Sequence, residues 1–514
     1  MGDTDEDGGK MNLWRIFKRR DRREADGKAV AKTPPVVRGY DAARESPFLQ
    51  GWAGDAGVSP NMVRTELPVI RAKCRNLAYN EPLIQRALQL YRSNVIGPKG
   101  IVFSADVPAK NGTDVDLEAS DMLEKAWRTW ADTPEWCDVE GRSTLTKLLQ
   151  SACDSYMRDG EALIALQANA DNPFGFSIRL LRADCLATNL VRQFSPGRTS
   201  ILNGVELDAN GRPIAYHLYT KVSTSGVYHG QTTRIPASRI IHLFRSEYAN
   251  ATRGFPVFAT VAGTLKMINA YREAEIVAAR LAAKRSGGTY EIDSGALDPT
   301  QIAASDSSEL YQQVGAGEIR VVPYGYRFTP DTTPAHPNGA YNDFVKNLLE
   351  QVASGLNLSY NTLASDLEGV NFSSIRSGVL EDRECYKCLQ EEFISTVLRP
   401  MFRRRGAWLD CWLLKGNSGF TAADAERLRN ADSWLPRRWE WVDPEKDQNA
   451  NRIAVEMGWR TSSDVAAEEG QDFWKNISTL KQEREWKRLN GIPTDEGKDT
   501  DAKAKADVKE KTSE

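Results

Sequence analysis

The stretch that decides the fold runs from Thr264 to Leu414. It opens with 264-TLKMINAYREAEIVAARLAAKRS-286 and resumes with 340-AYNDFVKNLLEQVASG-355. The first segment has no Pro or Gly before Gly287 and carries three Ala-rich turns. It predicts one uninterrupted helix about 33 Å long at 1.5 Å per residue. The second helix begins at Ala340 and stops at Gly355. Between them, TYEIDSG and EIRVVPYGYRF read as short strands joined by Gly, Asp and Pro turns. Met267, Tyr271, Ala274, Ala278 and Leu281 form one stripe on the first helix, and Lys266, Glu273 and Arg280 recur every seven residues on another. Small and apolar residues fill most other positions, a coating expected where neighbours lie on more than one side. In a ring, those neighbours could be copies of the helix itself. The pattern is a rigid strut with a docking tip, which points to an architectural protein.

Downstream, 357–372 (NLSYNTLASDLEGVNF) reads as irregular and polar, and Ser373-Ser374 stand as the N-cap of a helix running to Arg399. Pro400 must kink or interrupt that helix, which leaves one kinked helix or two. Upstream, Glu66 to Val95 is helical by spacing and ends at Gly97-Pro98-Lys99-Gly100, with IVFSADV following as a strand. Asp116–Thr129 and Ser143–Met157 are further helices, the latter with Ser143 as N-cap. EALIALQ, FSIRLLR, PIAYHLYT and RIIHLF read as strands, and Asn210-Gly211 predicts a type I′ hairpin turn before PIAYHLYT. The region 41–263 is therefore an α+β domain. In the tryptophan-rich C-terminal third, helices are expected from Pro444, after a cap at Thr461 or Ser462, and over Asp472–Asn490. A basic N-terminal arm (NLWRIFKRRDRRE, 12–24) precedes a Thr33-Pro34-Pro35 linker, and both chain ends read as disordered.

With 514 residues and 41% apolar content the chain can build real cores, and a net charge of -3 does not by itself predict nucleic-acid binding. No run of about 18 apolar residues occurs, so no membrane span is expected. The seven scattered cysteines fit reduced thiols. Walker, HExxH and G-x-S-x-G motifs are absent, and the four histidines lie far apart in sequence. His217 and His242, within strand-like runs, read as structural. Cys385-x-x-Cys388 sits mid-helix without a second pair, so both cysteines read as packing residues. Asp114/Asp116 and Glu273/Glu275 invite a metal-dependent nuclease reading, although mixed-charge helices produce such pairs routinely. No catalytic residue, cofactor or metal ligand is expected. Arg272, Arg280, Lys284 and Arg285 on the first strut helix and Lys346 on the second suit non-specific phosphate contacts; solvated surface charge is the plain alternative.

Several segments together resemble the portal (head–tail connector) family of lambda-type tailed bacteriophages. They are Arg75-Asn76-Leu77-Ala78-Tyr79-Asn80-Glu81-Pro82, Asn94-Val95-Ile96-Gly97, Arg158-Asp159-Gly160-Glu161, the run from Ile235 to Phe244, and Arg253-Gly254-Phe255-Pro256. The strut helix with Tyr271, Ala274, Glu275, Ala278 and Ala279 follows, then Asn371-Phe372-Ser373-Ser374-Ile375-Arg376, then Trp439 to Gly458 with Asp443-Pro444-Glu445-Lys446. The resemblance spans roughly 41–490 in the family's order. Two departures stand out: SEYANAT (246–252) replaces the usual Pro-Gly-Gln before Arg-Gly, and NFSS replaces NYSS.

The resemblance implies a closed homo-oligomeric ring, typically of twelve subunits, at one capsid vertex. It would conduct double-stranded DNA without sequence specificity and dock the terminase large subunit, head-completion or connector proteins, and the major capsid and scaffolding proteins. Its divisions would be a basic arm (1–40), an α+β wing (41–263), stem helices (264–285 and 336–357) and a β-containing clip (286–335). A tunnel loop (358–373), a spine helix with a return to the wing (374–445), a helical crown (446–494) and a tail (495–514) would follow. DNA-channel candidates are Lys266, Arg272, Arg280, Lys284, Arg285, Lys346, Asn361, Asp366 and Asn371. Terminase-docking candidates are Tyr290, Glu291, Asp293, Glu318, Arg320 and Tyr324. A DNA-binding virion scaffold that forms no portal, or a metal-dependent nuclease, are the competing readings. The virion and, during assembly, the host cytoplasm are the expected locations.

Overall fold

The Ser59 hydroxyl accepts the Met62 N–H at 3.2 Å and caps α1 (Pro60–Asn80). The computed structural model describes residues 59–110, 115–192, 199–222, 228–284, 288–292, 326–330, 341–366, 368, 372–416, 419–439, 444–469, 471 and 473–492. The basic arm, the linker, the C-terminal tail and most of the segment 286–335 lie outside them. The Ser-Pro start places α1 six residues ahead of the expected Glu66, because the cap and not the apolar spacing sets the boundary.

Pro82 then divides the helical run. It forces Glu81 into extended backbone (φ -105°, ψ 112°), and α2 (Pro82–Tyr91) begins afresh. A π turn over Arg92–Ile96 and Gly97 at φ 78° lead to β1 (Val102–Ala105). Asp116 caps α3 (Leu117–Asp132) by accepting the Ala119 N–H at 3.1 Å. After α4 (Pro134–Cys137) comes α5 (Leu145–Asp159), whose cap is Thr144 and not Ser143: its hydroxyl faces the Lys147 N–H.

All sheet pairings are antiparallel among the described strands. β2 (Glu161–Ala168) and β3 (Phe176–Leu181) are followed by the meander β4 (Ser200–Leu202), β5 (Val205–Leu207), β6 (Pro213–Val222) and β7 (Tyr228–Pro236). β8 (Ile240–Phe244) returns beside β2, giving the order β3-β2-β8. The expected type I′ turn at Asn210-Gly211 does not form. Only Gly211 is at positive φ there, and the Asp208 carboxylate accepts the N–H groups of Asn210 and Arg212, both at 2.8 Å, making a longer loop. The two-residue turn lies one hairpin earlier, at Asn203 (φ 51°) and Gly204 (φ 88°).

α6 (Ala262–Lys284) leaves the domain. A two-stranded ribbon, β9 (Gly288–Ile292) with β10 (Tyr326–Pro330), separates it from α7 (Tyr341–Gly355). The segment expected to be irregular contains a short helix, α8 (Tyr360–Ala364), which Leu363 anchors by burial. α9 (Phe372–Phe393) already includes Phe372, so Ser373-Ser374 lie inside it and do not cap it. The Pro400 question resolves as one helical path. A π turn over Ile394–Leu398, closed by the Arg399 N–H donating to Ile394 O, runs into α10 (Arg399–Arg403), so proline's missing donor falls in a first turn. On α9, Cys388 is exposed and does not pack, and Cys385 is half-buried.

α11 (Trp408–Leu414), α12 (Ala425–Arg429) and β11 (Asp432–Leu435) follow, and β11 pairs with β1, returning the chain to the domain that opened it. Three more helices finish the described chain: α13 (Pro444–Glu456), α14 (Ser462–Glu468) and α15 (Phe473–Leu489). Thr461 and Asp464 cap α14 reciprocally. The main core joins α1–α3, α5, β2, β3 and α9–α12 around aromatic rings. Trp127 lies 5.0 Å from both Trp130 and Trp408 and 5.3 Å from Trp434, and Phe103 lies 5.0 Å from Phe402. A second cluster, including Leu163, Val205, Tyr216 and Leu218, seats the meander.

Candidate functional site

Two regions matter: a joint at the end of α5, and the helix pair that leaves from it. The joint starts with two glycines. Gly160 ends α5 at φ 84°, where an added Cβ would lie 2.4 Å from the Phe255 carbonyl carbon. A Cβ on Gly254 would lie 2.1 Å from Gly160 O, so only glycine permits this approach.

The contact delivers Glu161 to Arg253. Arg253 Nη2 meets Oε1 at 2.5 Å and Nε meets Oε2 at 2.9 Å, while Arg71 Nη2 ion-pairs with Oε1 at 2.8 Å. His242 Nε2 lies 3.2 Å from Oε2 and carries the proton, because a carboxylate only accepts. Arg253 Nη1 also donates to Thr188 Oγ1 and Asn203 O, and Arg71 Nε to Asp159 O. Arg75 holds Asp159 and Asp184, both at 2.6 Å. Glu161 and Arg253 side chains are 0% exposed and Arg71 2%. Burial alone would raise the Glu161 carboxyl, but the Arg253 and Arg71 guanidiniums override it and hold the group well below the carboxylate range. A carboxylate so engaged has no part in proton transfer; the arrangement clamps α1, β2, β8 and the approach to α6. His217 is likewise structural, 3.0 Å from Glu206.

From this joint the helix pair takes root. Val261, Leu265 and Ile268 are buried in the main core, and Asn269 Nδ2 donates to Glu81 Oε2 at 2.7 Å. Thr260 Oγ1 donates to Gly355 O at 3.3 Å, a Cβ on Gly355 would lie 2.6 Å from Val261 Cγ1, and Tyr91 donates to Leu356 O. Past the root the covering ends. Tyr271 touches Tyr341 and Phe344 of α7, yet Met267 is 63% exposed, Ile276 53%, Val277 47% and Phe344 52%. Met267 and Ile276 stand nine residues apart, about half a turn out of phase at 3.6 residues per turn. Apolar surface is thus bare on opposite sides of α6.

Of the expected DNA-facing residues, Lys266 and Arg280 are exposed along α6, Arg272 is half-buried, and Lys284 is its last residue. Lys346 is exposed on α7, with Nζ 5.6 Å from the centre of the Tyr360 ring. Tyr360 donates to Asp366 Oδ2 at 3.0 Å, and Asn361 is half-buried beside it on α8. The Glu368 N–H, the Tyr360 hydroxyl and the Lys346 charge hold the Asp366 carboxyl below its ordinary value. Lys346, Tyr360 and Asp366 therefore form one cluster, and Lys266, Arg272 and Arg280 are strung separately along α6. Tyr290 and Glu291 lie on β9 opposite Phe328 and Arg327. Arg285, Asn371, Asp293, Glu318, Arg320 and Tyr324 lie outside the described residues.

The sequence reading missed the joint. One signal was available: Val63, Leu67, Arg71, Cys74 and Ala78 are the buried positions of α1, so a charge sits within an apolar stripe. Among the described residues no helix is long and apolar enough to cross a membrane.

Residues 46–390 match the family described as phage portal protein, lambda family. The probable portal protein of Halomonas phage phiHAP-1 is 32% identical over 479 residues, covering 91% of this chain and 90% of the relative. Portal protein B of Escherichia phage lambda is 22% identical over 481 residues, covering 85% and 86%. Among solved structures, a chain from the neck of an empty gene transfer agent particle aligns with a TM-score of 0.40 and 14% identity, over 79% of this chain and 93% of that one. On the family match and the 32% identical relative, the chain belongs to the lambda family of phage portal proteins.

Proposed function

We infer that this chain works as a portal subunit: copies close into a ring, of twelve subunits, at one capsid vertex, and double-stranded DNA passes through the channel during packaging and ejection. The observation that carries the ring is the bare apolar surface on opposite sides of α6 in a chain of this family. A head-to-tail ring uses two different faces of each subunit and leaves neither exposed.

On this reading 41–263 is the wing, 264–285 and 336–357 are the stem, and 286–335 is the clip. Residues 358–373 form the tunnel loop, 374–445 the spine and return, and 446–494 the crown. The β9–β10 ribbon between α6 and α7 supports the clip assignment, and the α8 cluster supports a loop held beside the channel. Terminase and, later, head-completion proteins dock on the clip, where Tyr290 and Glu291 are described; Asp293, Glu318, Arg320 and Tyr324 complete the candidate surface. Lys266, Arg272, Arg280 and Lys346 contact phosphates without reading sequence. Nucleotide hydrolysis belongs to the packaging motor, and this chain does no covalent chemistry. Assembly takes place in the host cytoplasm and the product resides in the virion.

Negative-stain imaging of the purified full-length protein tests the proposal. Annular particles with a central hole are expected; monomers alone, across salt concentrations, would overturn it.

A further inference from the structure

We propose that Gly378 and Asp382 form a seat on α9 that latches Ser359, and that this latch sets where residues 360–366 stand. That this position lies beside the channel rests on the portal reading; the latch itself does not.

Asp382 is only 5% exposed. Its Oδ1 accepts the Ser359 N–H at 2.8 Å and its Oδ2 accepts the Ser359 hydroxyl at 2.7 Å. Ser359 has the backbone of a helix cap (φ -66°, ψ 140°), yet its side chain makes no capping bond to α8. A serine in that position ordinarily turns its oxygen to the amides of its own helix. Here the hydroxyl proton goes to a carboxylate on a different helix. The Thr362 hydroxyl, 2.6 Å from Ser359 Oγ, must therefore be the donor in that pair. A five-residue helix cannot hold itself in water, so these tertiary ties decide where α8 sits.

Gly378 supplies a second, independent sign. It lies one turn before Asp382, and a Cβ there would come 3.3 Å from Ser359 Cβ. Glycine within a helix is unfavourable relative to alanine, and here it clears the space in which Ser359 rests. Leu358 and Leu363 flank the latch and are buried. Lys346, which reaches over the Tyr360 ring, is exposed, whereas Asp382 of the latch is buried.

Hydrogen–deuterium exchange of the full-length protein, read on peptides spanning 356–366, tests this. Asp382→Ala should speed exchange of that segment at least tenfold, and Ser359→Ala by less. Peptides from α3 should keep their protection. Gly378→Ala should speed exchange of the same segment while α9 stays as protected as before, an outcome helix propensity alone would not give. Glu384→Gln, on the exposed side of α9, should change nothing. Unaltered exchange in Ser359→Ala and Gly378→Ala would overturn the latch, and so would acceleration spread evenly over the chain. These two variants carry the test should Asp382→Ala fail to fold. Imaging the same preparations judges the portal reading separately: wild-type protein without rings defeats that reading and leaves the exchange result standing. In filled particles, DNA retention lowered several-fold by Ser359→Ala supports the channel position; unchanged retention with an open latch overturns it.

Discussion

The joint around Glu161 and the outer turns of α6 sit one after the other in the chain and treat exposure in opposite ways. At the joint, charged groups are sealed from water and every one has a partner within the same chain: Glu161 between Arg71 and Arg253, with His242 on its remaining lone pair. Along α6, apolar groups that could be sealed are left bare: among the described residues, Met267 and Ile276 stay more than half exposed. Charge pairs need fixed geometry, which one chain supplies best. Apolar faces tolerate being matched later, by another copy. The difference teaches which part is finished on folding and which only on assembly.

The contrast can be broken first at the rod. Met267→Asp combined with Ile276→Asp should abolish annular particles altogether, while urea unfolding of the dissociated subunit stays within about 0.5 kcal/mol of wild type. Equal loss in both measurements would mean that α6 is covered within the subunit. At the joint, Arg253→Ala should cost about 3–5 kcal/mol in subunit unfolding, because the buried Glu161 loses its two-pronged partner and keeps only Arg71 and His242.

Acid sharpens the same comparison. Burial first, against the pull of Glu161, holds the His242 imidazole below its ordinary 6.5, and Glu161 is held well below 4.5. In both cases the unfolded chain takes up the proton at higher pH than the folded one. Stability from the joint should therefore be complete above about pH 6.5 and decline as pH falls below it through His242. It should decline further below about 4.5 as Glu161 protonates in the unfolded chain. His242→Gln should flatten the upper limb, seen as a smaller loss of stability on acidification just below about pH 6.5. The smallest effect belongs to the C-terminal helices. Lys475→Ala removes the 2.5 Å pair to Glu124 and, with the lysine half exposed, should cost less than about 1 kcal/mol.

Periodicity made the rods legible. Glycine and proline placed the break after Ile96, and the strand runs located β2, β3, β6 and β8; the break that Pro82 makes inside the Glu66–Val95 run was not read. The errors share a cause, which is competition between side chains for the same backbone group. Asp208 took the amides that a tight Asn210-Gly211 turn would have left free. Thr144 displaced Ser143 as a cap by facing the Lys147 N–H. Such outcomes depend on what stands opposite in space. The Gly160–Gly254 contact joins two family motifs 94 residues apart, and nothing local in either announces its partner. The candidate DNA-facing residues were readable as charges on helices, but their grouping into a Lys346–Tyr360–Asp366 cluster needed the turn that follows α7.

The tryptophans packed around Trp127 carry a practical consequence. Trp127, Trp130, Trp408 and Trp434 are buried and should emit to the blue, and they lie near enough to couple their excited states and give strong near-ultraviolet dichroism. Trp459, Trp474 and Trp486, between 60% and 78% exposed, should emit to the red and be quenched by iodide. The chain thus contains its own two-colour fluorescence reporter, one colour for the main core and one for the C-terminal helices. Loosening of either can be followed without a label.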